Sequence, residues 1–269
     1  MIRMSNSPLV DYTILSPNCT KPRNHEIDTV TIHCVVGQCD VRVLGNMFAN
    51  PKRQGSSNYG IGKDGKIGLF VEEKNRSWCS GGKDKNGNPI RINGMSGGDN
   101  DHRAITIEVA SDTTHPYAVT KAAYNSLINL LVDICKRNNI KELKWKGDKN
   151  LVGRVDQQNM TVHRWFANKA CPGDYLYNRH GQIAKEVNAR LGVNASVITA
   201  PCTVKVSISN LNIRKGPGTN YATTGRHTGK GVFTIIEERT GPGSNSGWGK
   251  LKSGAGWISL DYVKKIKGV

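Results

Sequence analysis

Ala104-Ile105-Thr106-Ile107-Glu108-Val109 decides the fold. Its residues alternate, which predicts a β-strand with Ile105, Ile107 and Val109 on one face and Thr106 and Glu108 on the other. Upstream, Val30-Thr31-Ile32-His33 reads as a second strand of β-branched residues. Between the two, Asp40 caps a short helix whose apolar face is Val41, Leu44 and Phe48, and Pro51 stops it. The run from Tyr59 to Val71 predicts a hairpin with Asp64-Gly65 as its two-residue turn. Downstream, Thr120 caps a long helix striped by Tyr124, Leu127, Leu130, Leu131, Ile134 and Cys135. A last helical pattern, Ile183, Val187 and Leu191, ends at Gly192. Helices alternating with strands predict an α/β fold, a mixed central β-sheet flanked by helices. No internal repeat is visible.

The chain has 269 residues, of which 37% are hydrophobic, enough for a medium domain plus a small one. Its 38 basic and 21 acidic residues leave a net charge of +17, which calls for a polyanionic partner or surface. The basic residues are scattered, so a disordered nucleic-acid arm is not expected. Seven cysteines at irregular spacing contain no CxxC pair and do not read as a disulfide scaffold. Cys19, Cys39, Cys79, Cys135 and Cys202 read as free or partly buried thiols. Met1-Ile2-Arg3-Met4-Ser5 has no apolar core of a secretory signal, which predicts synthesis in the cytoplasm. No run of about 18 apolar residues exists, so no membrane span is expected.

The composition changes after Gly192. Val193-Asn194-Ala195-Ser196-Val197-Ile198-Thr199-Ala200-Pro201 is small and weakly patterned, and reads as a linker. The expected organisation is therefore a first domain over 1–192, a linker over 193–201 and a small all-β domain over 202–269. The tail holds 11 basic and 3 acidic residues, so +8 of the +17 sits in a quarter of the chain.

Chemistry concentrates in the first domain. His163 and Cys171 frame Val162-His163-Arg164-Trp165-Phe166-Ala167-Asn168-Lys169-Ala170-Cys171-Pro172-Gly173, and His33 ends the upstream strand. Two imidazoles and one thiolate are three of the four donors a tetrahedral zinc takes, and they leave one position for water. His33 taken alone reads more readily as a core histidine. Cys34, next to His33, should point to the opposite face and into the core. Ser80-Gly81-Gly82 and Met95-Ser96-Gly97-Gly98 could border a cleft, but lack the strand–helix context and ending of a phosphate loop. His102 and His115 read as surface or groove residues. Glu108 is a mid-strand carboxylate on the face opposite three aliphatic residues, a placement that is costly to bury without a role.

Four segments, Thr31-Ile32-His33-Cys34, Asn58-Tyr59-Gly60-Ile61, Ile105-Thr106-Ile107-Glu108-Val109 and His163 to Gly173, resemble the type 2 N-acetylmuramoyl-L-alanine amidases. That group includes phage endolysins, autolysins and peptidoglycan recognition proteins, and the resemblance covers roughly residues 20 to 192. It implies Zn2+ at His33, His163 and Cys171, and hydrolysis of the amide joining N-acetylmuramic acid to L-alanine in peptidoglycan. It implies that Lys169 stabilises the oxyanion, that Tyr59 orients water or oxyanion, and that Glu108 acts as general base, without choosing one sole base. The tail is similar to bacterial SH3 (SH3b-type) domains, through Leu211-Asn212-Ile213-Arg214-Lys215-Gly216-Pro217 and Gly256-Trp257-Ile258. That resemblance implies an SH3-like barrel that binds the cell wall, with Tyr221, Trp248, Trp257 and Tyr262 as candidate contacts.

Together these readings predict a modular lytic enzyme acting outside the cell at the bacterial wall, a phage or prophage endolysin. Anionic wall polymers such as teichoic acid suit the basic tail. Two alternatives remain on the same fold: a non-catalytic recognition protein and a peptidoglycan peptidase. No nucleic-acid readout motif appears, so neither nucleic acid nor membrane is an expected partner.

Overall fold

The computed structural model describes residues 6–193, 201–239, 241–244 and 246–266. It divides into two compact units, Met1–Leu191 and Gly192–Val269. Most of the expected linker, 194–200, lies outside the described residues.

The first unit is built on a six-stranded mixed sheet, in the order 12–13, 67–69, 59–61, 104–109, 29–34, 160–161. The central Thr29–Cys34 and Ala104–Val109 strands run parallel, with His33 beside Glu108 and Ile32 beside Ile107. Tyr59–Ile61 joins them in parallel, and Ile67–Leu69 turns back against it. This is the mixed central sheet with flanking helices that the alternating pattern implied.

Period-two alternation gives the sheet two unlike faces. One face carries Val30, Ile32, Tyr59, Ile61, Ile105, Ile107 and Val109, which pack under α3 (Lys121–Arg137) and α5 (His180–Leu191). Thr120 caps α3 by accepting from Ala123 N, and Gly192 follows α5 in the left-handed region. The other face carries Thr31, His33, Thr106, Glu108 and Thr161. Above it lie α1 (Val41–Ala49), capped by Asp40, and α2 (Gly97–Arg103), capped by Ser96. Asn100 of α2 donates to Thr31 Oγ1 and accepts from Thr161 Oγ1, so these three buried side chains satisfy one another. A short helix, α4 (Gly173–Tyr177), follows Cys171 and Pro172.

The hairpin differs from its expected form. Gly62 N and Lys66 O close a three-residue loop, and Gly65 N donates to Gly62 O with φ +86° at Gly65. A right-handed turn followed by one left-handed residue fits strand twist as well as a two-residue turn does, and glycine takes that position without strain.

The second unit is a seven-stranded sheet, with all its pairings antiparallel, around a core of its own formed by Val204, Val206, Leu211, Ile213, Ile235, Leu251, Ile258 and Leu260. This arrangement is consistent with an SH3-like fold. Among the described residues, no helix is long and apolar enough to cross a membrane. All seven cysteines are free.

Candidate active site

The site forms at the carboxyl end of the two central strands, on the polar face. His33 reaches it because it lies one residue from the end of its strand, in register with Glu108. His163 reaches it because the neighbouring Met160–Thr161 strand gives way to a 3-10 turn, His163–Trp165. Cys171 arrives from the turn before α4, where Cys171 O accepts from Arg164 N.

The three come together closely. Cys171 Sγ lies 3.4 Å from His33 Nδ1, and the two imidazole rings are 5.2 Å apart. Donor atoms of His33, His163 and Cys171 all lie within 4.8 Å of one another, a grouping that could hold one metal ion. Burial holds both imidazoles below their ordinary pKa, His33 strongly, so both are neutral at pH 7 and carry free lone pairs. His163 Nε2 is buried without a hydrogen-bond partner among the described residues. A nitrogen–nitrogen–sulfur set of this kind suits zinc better than the oxygen-seeking cations.

Beside this trio stands Glu108. Burial pushes its carboxyl up to about 8, and Cys79 Sγ lies 3.9 Å from Oε1. Its Oε2 is buried with no partner among the described residues. Lys169 is exposed at the rim, and its charge acts on His163 in the same direction as burial. Cys34 keeps its place on the core side, as alternation requires, yet at the strand's end its thiol also meets those of Cys171 and the hydroxyl of Ser111.

Tyr59 is not in the site. It points from the opposite face of the sheet, because its parallel partner is Ile107 while Gly60 pairs with Glu108. Fully buried there, it donates to Glu73 Oε1 at 2.6 Å and accepts from Ser7 N. Arg137 clamps the same carboxylate with two bonds, of 2.6 and 2.8 Å. The expected role for Tyr59 in orienting water or oxyanion therefore gives way to a structural one. Alternation puts Ile107 and Glu108 on opposite faces, but only the register of the folded sheet sets Tyr59 beside Ile107.

The structure gives Cys79, expected as a free or partly buried thiol, and Ser80, expected at a cleft border, a definite place in the site. Cys79 and Ser80 come in from the loop, and Ser80 Oγ lies 3.4 Å from His33 Nε2. The second cluster able to hold a metal, His33 with Cys79 and Glu108, shares this wall. Nothing in the spacing of Cys79 announces it; only the fold brings it to the strand. His115 pairs with Asp174 on the surface, and His102 Nδ1 accepts from Asn24 N; neither joins the trio. A groove of about 580 Å³ lined by Ile27, Asp28 and Asn138 opens at the other end of the same strand, away from these groups.

In the second unit, Trp248 and Trp257 are buried on the sheet face opposite the core residues Leu251 and Ile258, with Arg214 over the Trp248 ring and Arg239 and Lys250 over the Trp257 ring. Covered by their own unit's arginine and lysine side chains, both rings leave little surface for the expected wall contact. Tyr221 and Tyr262 are exposed.

Comparison with known proteins agrees with this geometry. Residues 23–174 match the N-acetylmuramoyl-L-alanine amidase family, and the chain belongs to it. The match takes in His33, Glu108, His163 and Cys171. The chain is an N-acetylmuramoyl-L-alanine amidase by family, acting on peptidoglycan. Among solved structures, it is similar to a selenomethionine derivative of AmpD at 18% identity, covering 68% of this chain and 99% of that one with a TM-score of 0.47. A mutant endolysin from Bacillus subtilis is similar at 16% identity, with coverage of 66% and 99% and a TM-score of 0.45. LysCS, an endolysin from Clostridium intestinale URNW, is similar at 15% identity, with coverage of 63% and 90% and a TM-score of 0.39. No curated protein matches the chain.

Proposed function

We propose that this amidase is zinc-dependent, with His33, His163 and Cys171 as the metal ligands, and that it is a phage or prophage endolysin acting at the bacterial wall. The convergence of three donors from three separate elements to within 4.8 Å carries this reading. Zinc, when bound, supplies Lewis-acid polarisation of the amide carbonyl and lowers the pKa of a water beside it.

The protein's own groups do the rest. Glu108 exchanges a proton near neutral pH because burial has moved its carboxyl up to about 8, close to the working range of a general acid–base. Its unpartnered Oε2 is the oxygen left for water or for the departing amine of L-alanine. Lys169, exposed at the rim near His163, supplies positive charge to the oxyanion that develops on the lactyl carbonyl. The walls of Ser80 and Cys79 exclude bulk water from the buried side of His33.

We further propose the domain plan 1–192, 193–201 and 202–269, with the second unit an SH3b-type wall binder. Its exposed Tyr221 and Tyr262 offer contacts to the wall. Its excess of basic residues tethers the enzyme to anionic wall polymers such as teichoic acid.

Product analysis tests the catalytic part. Purified protein is incubated with peptidoglycan, with and without chelator, and new amino termini and reducing sugars are followed separately. New N-terminal alanine without reducing ends, lost on chelation and restored by zinc, is the expected outcome. Other new N-terminal residues would mark a peptidase. Wall binding without release would mark a recognition protein.

A further inference from the structure

The wall that faces His33 is held from a single carboxylate. Asp101, on α2, is buried, and its Oδ2 accepts 2.8 Å bonds from both Cys79 N and Ser80 N. The segment is wedged on either side of that anchor. A Cβ at Gly97 would meet Ser80 O at 2.1 Å, and one at Gly82 would meet Phe166 O at 2.4 Å. The loop thus runs against α2 on one side and the stretch after His163 on the other, with no room to shift.

Held this way, Ser80 is itself fully buried, and its Oγ stands 3.4 Å from His33 Nε2. The other ring nitrogen, Nδ1, faces Cys171 Sγ at the same distance. A neutral imidazole carries one proton, on one nitrogen or the other. A buried N–H without an acceptor is costly, and Ser80 Oγ is the acceptor offered at Nε2. At Nδ1 the near neighbour is another metal donor.

We propose that Ser80, anchored by Asp101, is a positioning residue that holds His33 in its Nε2–H form, leaving the Nδ1 lone pair aimed at the position shared with His163 and Cys171. This inference rests on the reading of His33 as a metal ligand. Its physical basis is general: a partner for the far nitrogen sets ring orientation and tautomer, and so sets the quality of the near one. Asp101 acts one step further out, holding the loop backbone and the Ser80 hydroxyl rather than the ring.

Two measurements on the full chain test it. In the zinc-free protein, ¹⁵N shifts of the His33 ring, assigned by comparison with H33Q, should show one tautomer, protonated at Nε2. A proton at Nδ1, or a mixture of the two forms, overturns the proposal. In the second, zinc affinity is read by competition with a chromophoric chelator. S80A should bind zinc about 10–100-fold more weakly, the range for loss of such a partner, while the zinc-free thermal midpoint holds. Unchanged affinity in S80A also overturns it. If S80A does not fold, the tautomer in the unaltered chain decides alone. A chain that binds no zinc at all would sink the metal reading, yet the tautomer would still report on Ser80.

Discussion

At the residue scale, sheet register separates groups that look alike on paper. Tyr59 and Glu108 both stood as candidates beside the scissile bond, but one residue of register sends them to opposite faces. The consequence is measurable. Y59F removes a hydroxyl paired with Glu73 and Ser7, and should cost about 1–3 kcal/mol of stability while kcat stays within about twofold. A large fall in kcat at unchanged stability would return Tyr59 to the chemistry. C171S should abolish zinc retention, read by metal analysis after dialysis, and abolish amidase activity while leaving the second unit folded. Full activity in that variant would remove Cys171 from the ligand set. K169A should lower kcat by about 10²–10³, as loss of an oxyanion partner does, with little change in zinc content. His33, His163, Cys171 and Glu108 were legible because each residue type carries its chemistry in a recognisable motif. Ser80 was legible only as the border of a cleft and Asp101 not at all, because serine and aspartate are common and their service is to another residue's geometry.

At the element scale, α5 begins with a buried histidine outside the donor trio that carries a clear cost. His180 is fully buried, packs on Trp145 and shares a bond between Nδ1 and Leu176 O. Burial lowers its pKa to about 4, from 6.5. The sign follows from proton binding. Above pH 6.5 the ring is neutral in both folded and unfolded chains, and pH has no effect through it. Between 6.5 and about 4 the unfolded chain takes up a proton that the folded one refuses, so stability falls as pH falls. The loss amounts to on the order of 3 kcal/mol by pH 4. Melting midpoints of the protein and of H180Q at pH 7 and pH 4.5 check this: the variant should lose less on acidification, whatever its starting stability. Parallel slopes would place the acid sensitivity elsewhere. Helices α1 and α3 were readable in advance from their caps and stripes, Asp40 with Val41, Leu44 and Phe48, and Thr120 with its leucines. α2 was not, since Gly97-Gly98-Asp99-Asn100-Asp101 has no apolar stripe; its capping box and its packing on the polar face make it a helix.

At the scale of the whole molecule, each of the two units has hydrophobic clusters of its own, two in the first and one in the second. Each unit's own core is sufficient to expect independent folding. A chain ending at residue 193 should hydrolyse soluble muropeptide at close to the full rate and lose most of its lysis of whole cells. Equal loss on both substrates would mean that the tail supports the catalytic unit. The binding of the isolated tail to cell walls should fall as salt rises past about 0.15 M, where the Debye length drops below about 8 Å.

The sequence by itself determined the mixed sheet, its flanking helices, the change of character near Gly192 and the residue types of the metal trio. Those follow from periodicity, caps and donor chemistry, which are properties of short stretches. Tertiary structure alone decided that His33, His163 and Cys171 meet, that Tyr59 faces away, that Trp248 and Trp257 are covered by arginine and lysine side chains, and that Asp101 holds the wall behind His33. Each of these depends on which strand lies beside which and in what register, and register is settled by packing across the chain rather than along it.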